Sequence, residues 1–354
     1  MTNYIIRRLL LVPVLLFGVT ILVFAMLQFL TPVERSALYV RDVPKNDKQI
    51  QGIIKMYGLD KPIYVQYWTW LVGKIDRVSG ERRGGILFGD FGYSRTASQP
   101  VAELIKTRFP NTLDLTLWAI APVILIGIWM GVQAAVHQNG FIDQAARIFS
   151  IVGTSFPTFV FGLLVLMLFY AHWHWFPPGR VSDWASIVLY SGSFHHYTSL
   201  LTLDALLNGR FDIFLDALRH MFLPILTLSY ISWATFVRVT RSSMLETLRM
   251  EYVTTARAKG LRERDVVNKH ARPNAMIPVV TLAGFQVIGL LGGVVITETV
   301  FNYPGIGQAA ANAAAQLDVV TTLGFAIFNG LILIVANLVV DILYAVVDPR
   351  VRLS

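Results

Sequence analysis

Three stretches of this chain, residues 9–30, 115–136 and 148–171, contain no Asp, Glu, Lys or Arg. A bilayer core about 30 Å thick is crossed by a helix of about 20 apolar residues. Residues 221–237, 275–297 and 319–340 complete a set of six candidate spans. The segment 221–237 is short and is expected to extend either way at some polar cost. Composition agrees: 55% of residues are hydrophobic and 15% charged, against about 25% charged in soluble domains. The expected fold is therefore all-α, a polytopic membrane protein with six transmembrane helices. Arg7 and Arg8 precede the first stretch as in a signal peptide. That stretch exceeds an h-region of about 7–15 residues and lacks a small-x-small site, so it is expected to stay as a span.

An even number of spans puts both termini on one side. Nine Lys/Arg lie between Arg238 and Arg272, and Arg7, Arg8, Arg147, Arg350 and Arg352 share their side. The opposite loops, 172–219 and 300–318, hold three and none. Loop 31–114 carries thirteen, but the positive-inside bias is counted over loops shorter than about 60 residues. The termini and loop 238–274 are thus expected to be cytoplasmic. The linear division is a span at 1–30, a long outer loop at 31–114, and a five-span core at 115–354 with an outer loop at 172–219. The net charge of +8 is spread over loops, which argues for the lipid bilayer and no nucleic acid as partner.

Glycines and prolines, Pro44, Gly58, Gly73 and Gly80 among them, punctuate the outer loop. Residues 48–57 are expected to form a short helix stopped by Gly58. Residues 66–71, with Tyr64, Tyr67, Trp68 and Trp70 at or near them, read as an aromatic helix at headgroup level, or as a carbohydrate or peptide platform. Residues 201–207 and 211–221 are expected to lie on the membrane surface, with Asp204, Asp212 and Asp216 on their polar side.

No catalytic constellation is visible. There is no G-x-x-x-x-G-K-[ST] loop, no H-E-x-x-H and no G-x-S-x-G, and no Cys. The chain is read as no enzyme, without a nucleotide site of its own. His172, His174, His195 and His196 could hold a metal, but HWHWFPP equally reads as an interfacial belt, and no metal is assigned. Glu298 and Asp341 sit at span ends, where an end-cap or an inter-helix hydrogen bond is the plain reading. Ion-coupled carriers need buried ionisable groups inside spans, and these spans offer almost none. Pro122, Pro157, Pro224 and Pro278 can kink helices, and Gly127, Gly131, Gly284 and Gly289 permit close helix approach.

Loop 238–274 is the informative segment. Residues 244–259 have few breakers and are expected to be helical. Gly260 then supplies a stop or a left-handed turn. A basic helix over 261–270 follows, ended by Pro273. Ala256 and Ala258, beside Gly260, leave a surface that another protein could approach. A solvated basic loop on anionic lipid is the alternative.

At this loop the sequence closely resembles the inner-membrane permease subunits of ABC importers for dipeptides, oligopeptides and nickel. The matching blocks are YIIRRLLLVPVLLFGVTILVF, GDFGYSRTASQPVAELIKTRFPNTLDLTL, TRSSMLETLRMEYVTTARAKGL, HARPNAMIPVVT, ETVFNYPGIG and NLVVDILYAVVDPR. They fall in the family's order over nearly the whole chain. GRVSD and LRHMFLP look most like the dipeptide-type members.

The resemblance implies a type I ABC importer permease fold in a bacterial or archaeal cytoplasmic membrane. It implies a homologous second permease, two ABC ATPase subunits that carry ATP and Mg, and an extracytoplasmic substrate-binding protein. This chain itself would hold no cofactor. The family's coupling loop maps onto Thr254, Thr255, Ala256, Ala258, Lys259, Gly260 and Leu261. Thr254 and Thr255 replace the Glu and first Ala of the Glu-Ala-Ala core. The outer-loop turn maps onto Pro304, Gly305 and Gly307. Nickel, glutathione or oligosaccharide import on the same scaffold, or a non-driven channel or scaffold, stay open as alternatives, and no substrate-binding residue is assigned.

Overall fold

Two of the spans bend beside a proline, while other prolines lie inside unbroken helices. The computed structural model describes residues 2–39, 46–75 and 82–347. Arg350 and Arg352 of the charge argument, and Pro44 and Gly80 of the outer-loop punctuation, lie outside them. Four helices are long and apolar enough to cross a membrane as single rods: the apolar part of Thr2–Leu27, then Val101–Val136, Phe211–Thr247 and Val319–Val347. Two further candidates are bent pairs. Phe141–Ser155 meets Thr158–His172 at 102°, and Glu263–Ala275 meets Ile277–Leu291 at 55°. Counting each pair as one span gives six. The first bend has a local cause. Phe156 precedes Pro157 and is extended, with φ −91° and ψ 127°, because the proline ring disfavours the α region in the residue before it. At the second bend Pro278 occupies the first turn of the new helix, where its missing N–H costs nothing.

Several element boundaries differ from expectation. The second span's helix starts at Val101 rather than 115 and runs through Pro110, so the segment VAELIKTRFPNTLD is helical without being apolar. Residues 211–221 are the first turns of the 37-residue helix Phe211–Thr247, not a separate surface helix. Asp204 and Asp216 are buried, where they accept hydrogen bonds from Thr198 and Ser182. Residues 244–259 break at Met250, whose backbone is extended. Pro273 does not end its helix but sits in the first turn of Arg272–Ala275. The helices Asp47–Tyr57, capped by left-handed Gly58, and Ile63–Val72 lie where the sequence places them.

The chain divides into two compact units that are discontinuous in sequence. One comprises Met1–Pro110 and Gly305–Leu338. Its core packs Val101, Leu104, Ile105, Ile306 and Phe325, with Phe109 edge-on to Phe328 at 5.0 Å. Within it Asp318 is nearly buried and accepts from Ser94 Oγ (2.9 Å), Thr96 N (3.0 Å), Thr321 N (3.2 Å) and Thr321 Oγ1 (2.8 Å). Burial pushes its pKa up, yet these donors win and hold it below the ordinary carboxylate value.

The other unit comprises Asn111–Pro304 and Val339–Ser354. Its helices approach closely where glycine allows. A Cβ on Gly127 would lie 2.6 Å from Phe236 Cβ, and one on Gly131 2.5 Å from Thr240 Cβ. Glu298 is fully buried and accepts from Thr112 Oγ1 at 2.7 Å, the inter-helix hydrogen bond expected at a span end.

Candidate coupling site

The segment after Phe211–Thr247 forms a small polar-faced element. Met250 turns the chain, and Glu251–Ala258 resumes as a helix. Glu251 in its first turn and Arg257 in its last complement the helix dipole. The helix has two inward residues, Val253 and Ala256, spaced i, i+3. They pack with Val132, Ala135, Met244, Val266, Val267 and Ala271. A small residue at 256 lets the helix lie close to the span ends, and a larger one would lift it off.

The outward side is open. Thr254, Thr255, Ala258, Lys259, Gly260 and Leu261 are all exposed. Thr255 donates back to Glu251 O at 2.9 Å, which is ordinary intrahelical bonding. Gly260 ends the element at φ +78° with open space around it, so the demand for glycine there comes from the backbone alone. Arg257 closes the turn by donating Nη2 and Nε to Glu263 at 2.8 and 3.1 Å. Beyond it the helix widens into i→i+5 bonding over Val266–Ala271, and its apolar side completes the cluster. A cavity of about 290 Å³ opens beside this turn, lined in part by Ala135, Gln138, Leu245, Arg249, Arg257 and Glu263.

The coupling residues named from sequence thus form one contiguous element, with Ala256 on its buried side. Sequence reasoning missed Val253, the second anchor, although its i, i+3 spacing to Ala256 is a readable signal. It also missed the Arg257–Glu263 closure. A third omission is Asp143, which is fully buried and accepts from Arg241, Arg147 and Asn139 N. The i, i+4 pair with Arg147 is visible in sequence, whereas Arg241 comes from a distant helix.

The outer turn is built differently. Asn302 takes a left-handed φ of +49°, and Tyr303 turns inward, fully buried against Leu115 and Met221. Pro304 O accepts from Asn111 Nδ2 at 2.7 Å. Gly305 then caps Ile306–Ala315 in an extended conformation, and Gly307 is buried in its first turn. The histidine-rich stretch forms an aromatic stack instead, with Trp173 on Trp175 at 4.6 Å. Among the described residues no three His, Cys, Asp or Glu side chains converge as metal ligands.

Comparison with known proteins agrees over the full length. Residues 123–353 match the family described as binding-protein-dependent transport system inner membrane component, and residues 1–116 match the N-terminal model for the same systems. The chain is 38% identical to the di/tripeptide transport system permease protein DppB of Pseudomonas aeruginosa (strain UCBPP-PA14), covering 99% of each. It is 36% identical to the dipeptide transport system permease protein DppB of Escherichia coli (strain K12), again over 99% of each. It is 34% identical to the oligopeptide transport system permease protein AppB of Bacillus subtilis (strain 168), over 99% of this chain and all of the relative. The chain belongs to the family of inner membrane components of binding-protein-dependent transport systems.

Proposed function

We propose that the chain is the peptide-translocating permease of an ATP-driven importer and takes up di- or oligopeptides. The relatives' names support the peptide class, and they give no support to nickel, glutathione, oligosaccharide or undriven-channel readings. Loop 31–114 and loop 172–219 face outward, where a substrate-binding protein delivers the peptide. Both termini and loop 238–274 are cytoplasmic. A homologous second permease completes the passage, and two ATPase subunits bind ATP and Mg below.

The observation that carries the mechanism is the two-sided build of Glu251–Ala258. Val253 and Ala256 fasten it to the ends of two spans, while its other face stays exposed. Thr254, Thr255, Ala258, Lys259, Gly260 and Leu261 on that face are what an ATPase groove would contact. Closure of the ATPases then moves the element as a body, and its anchors pass the displacement to Val101–Val136 and Phe211–Thr247. This shifts the population between inward-open and outward-open states without any chemical step in this chain. At the outer side, Pro304, Gly305 and Gly307 shape the turn that faces the delivered peptide.

The test is reconstitution with the ATPases and binding protein that co-purify in mild detergent. Gly260→Glu adds a charged side chain at φ +78° on the docking face. Peptide uptake and substrate-stimulated ATP hydrolysis should both fall at least about tenfold, a loss of about 1.4 kcal/mol in coupling. Near-normal uptake in that variant would sink the proposal.

A further inference from the structure

We propose that a cavity within the unit of Met1–Pro110 and Gly305–Leu338 binds an anionic phospholipid, its phosphate on Arg35 and its tail along the ends of two spans. The cavity measures about 1010 Å³, the upper end of the range of small-molecule sites, about 300–1,000 Å³. Its apolar wall includes Phe24 and Leu27, in the last turn of Thr2–Leu27, and Val320, Leu323 and Ile327, early in Val319–Val347. Both helices can cross a membrane. The cavity therefore lies at the depth where two spans end, which is headgroup level. Tyr39 and Tyr57, stacked at 4.4 Å, and Trp70 also line it, as aromatic rings do at that depth.

Arg35 supplies the specificity. It is 7% exposed. Its Nη1 donates to Gln28 Oε1 at 2.8 Å and Gln66 Oε1 at 2.7 Å. Gln66 is fixed in turn by donating Nε2 to Leu59 O at 3.0 Å and Lys61 O at 2.6 Å. The guanidinium is thus held in place by neutral acceptors, and among the described residues it has no carboxylate partner. Its Nε is buried with no acceptor, and so is Gln28 Nε2 beside it. A buried charge without a counter-charge costs several kcal/mol, and water can satisfy a donor but cannot neutralise it. An anion in the cavity supplies the missing counter-charge.

The rest of the wall selects among anions. Among the described residues, Lys61 and Lys74 line the cavity with exposed side chains, against one lining carboxylate, Asp90. Asp90 is already accepting from Gly92 N at 3.0 Å. Three cations to one acid suit a net anion and disfavour a zwitterion such as a dipeptide. The Tyr39 phenol is pushed up to about 12 by burial, so it stays a neutral donor. The apolar wall suits an acyl chain and leaves free phosphate without a reason to be retained.

Trp70 reports the site. The delipidated full chain in mild detergent is titrated with phosphatidylglycerol or phosphatidylcholine bearing the same brominated tails. The signal is Trp70 quenching, taken as the difference from Trp70→Phe. Phosphatidylglycerol should bind at least about tenfold more tightly, and Arg35→Gln should remove that preference. Lys61→Gln combined with Lys74→Gln changes only exposed side chains and should weaken phosphatidylglycerol about threefold with the fold intact. Equal quenching by the two lipids, or an unchanged preference in the double lysine variant, would overturn the proposal. So would displacement of the lipid by inorganic phosphate or by a dipeptide at comparable concentration.

Discussion

Two arginine–carboxylate pairs in the same unit show how burial changes what one chemistry does. Arg257–Glu263 closes the Gly260 turn in the open, with side chains 41% and 59% exposed. Asp143 is 0% exposed and is gripped by Arg241 and Arg147 from two helices. An exposed pair is weakened by solvent and salt, and contributes about 0–1 kcal/mol. Removing one partner of a buried pair strands a charge and costs about 3–5 kcal/mol. In the proposed coupling, the first pair shapes the surface offered to an ATPase. The second ties Phe141–Ser155 to Phe211–Thr247, on whose C-terminal end Glu251–Ala258 rests. A transmission device needs both, a pliable contact face and a stiff frame behind it.

Breaking the buried pair gives the largest expected effect. Asp143→Ala should destabilise the purified protein by about 1.5–3 kcal/mol, short of a fully buried pair because Arg241 and Arg147 are 19% and 42% exposed, seen as a lower unfolding midpoint and poor yield. The frame assignment fails if the loss is no larger than that of an exposed pair. Asp318 offers an intermediate case, a nearly buried carboxylate held by hydroxyls and amides. Its folded pKa lies below the unfolded value, so its stabilisation is fully present above about pH 4. That contribution fades as pH falls through the folded pKa, because the unfolded chain takes up the proton first. Asp318→Asn should flatten this acid-side fall in the unfolding midpoint, and an unchanged acid limb would contradict the assignment. The smallest effect belongs to Arg257→Ala. Stability should drop by under about 1 kcal/mol, while ATPase coupling falls because the Gly260 turn loses its clasp. A stability loss matching Asp143→Ala would erase the distinction between the two pairs.

Local chemistry carried much of the reading from sequence. The uncharged apolar runs located four single-rod spans and two bent pairs, and Gly58 and Gly260, read as helix stops, both take left-handed backbone. Pro157 sits at the sharpest bend. The errors share one cause. Residues 211–221, 244–259 and Pro273 were assigned from local amphipathicity and breakers, and each was decided by packing. Asp216 looked like a solvent-facing residue on an amphipathic helix, yet it accepts from Ser182 N and Oγ, 34 residues away. Periodicity gives a face, but it does not say whether water or another backbone covers that face.

The sequence by itself determined the membrane class, the apolar segments, the polar loop at 238–274 and its glycine turn, because each depends on residues adjacent along the chain. Only the tertiary structure decided that Ala256 anchors inward with Val253, that Asp143 meets Arg241 across 98 residues, and that Arg35 sits buried beside a cavity with no carboxylate partner among the described residues. Those outcomes rest on long-range juxtaposition. A charge is stabilised or stranded by whatever the fold brings within a few ångströms of it, and the order of residues does not state that distance.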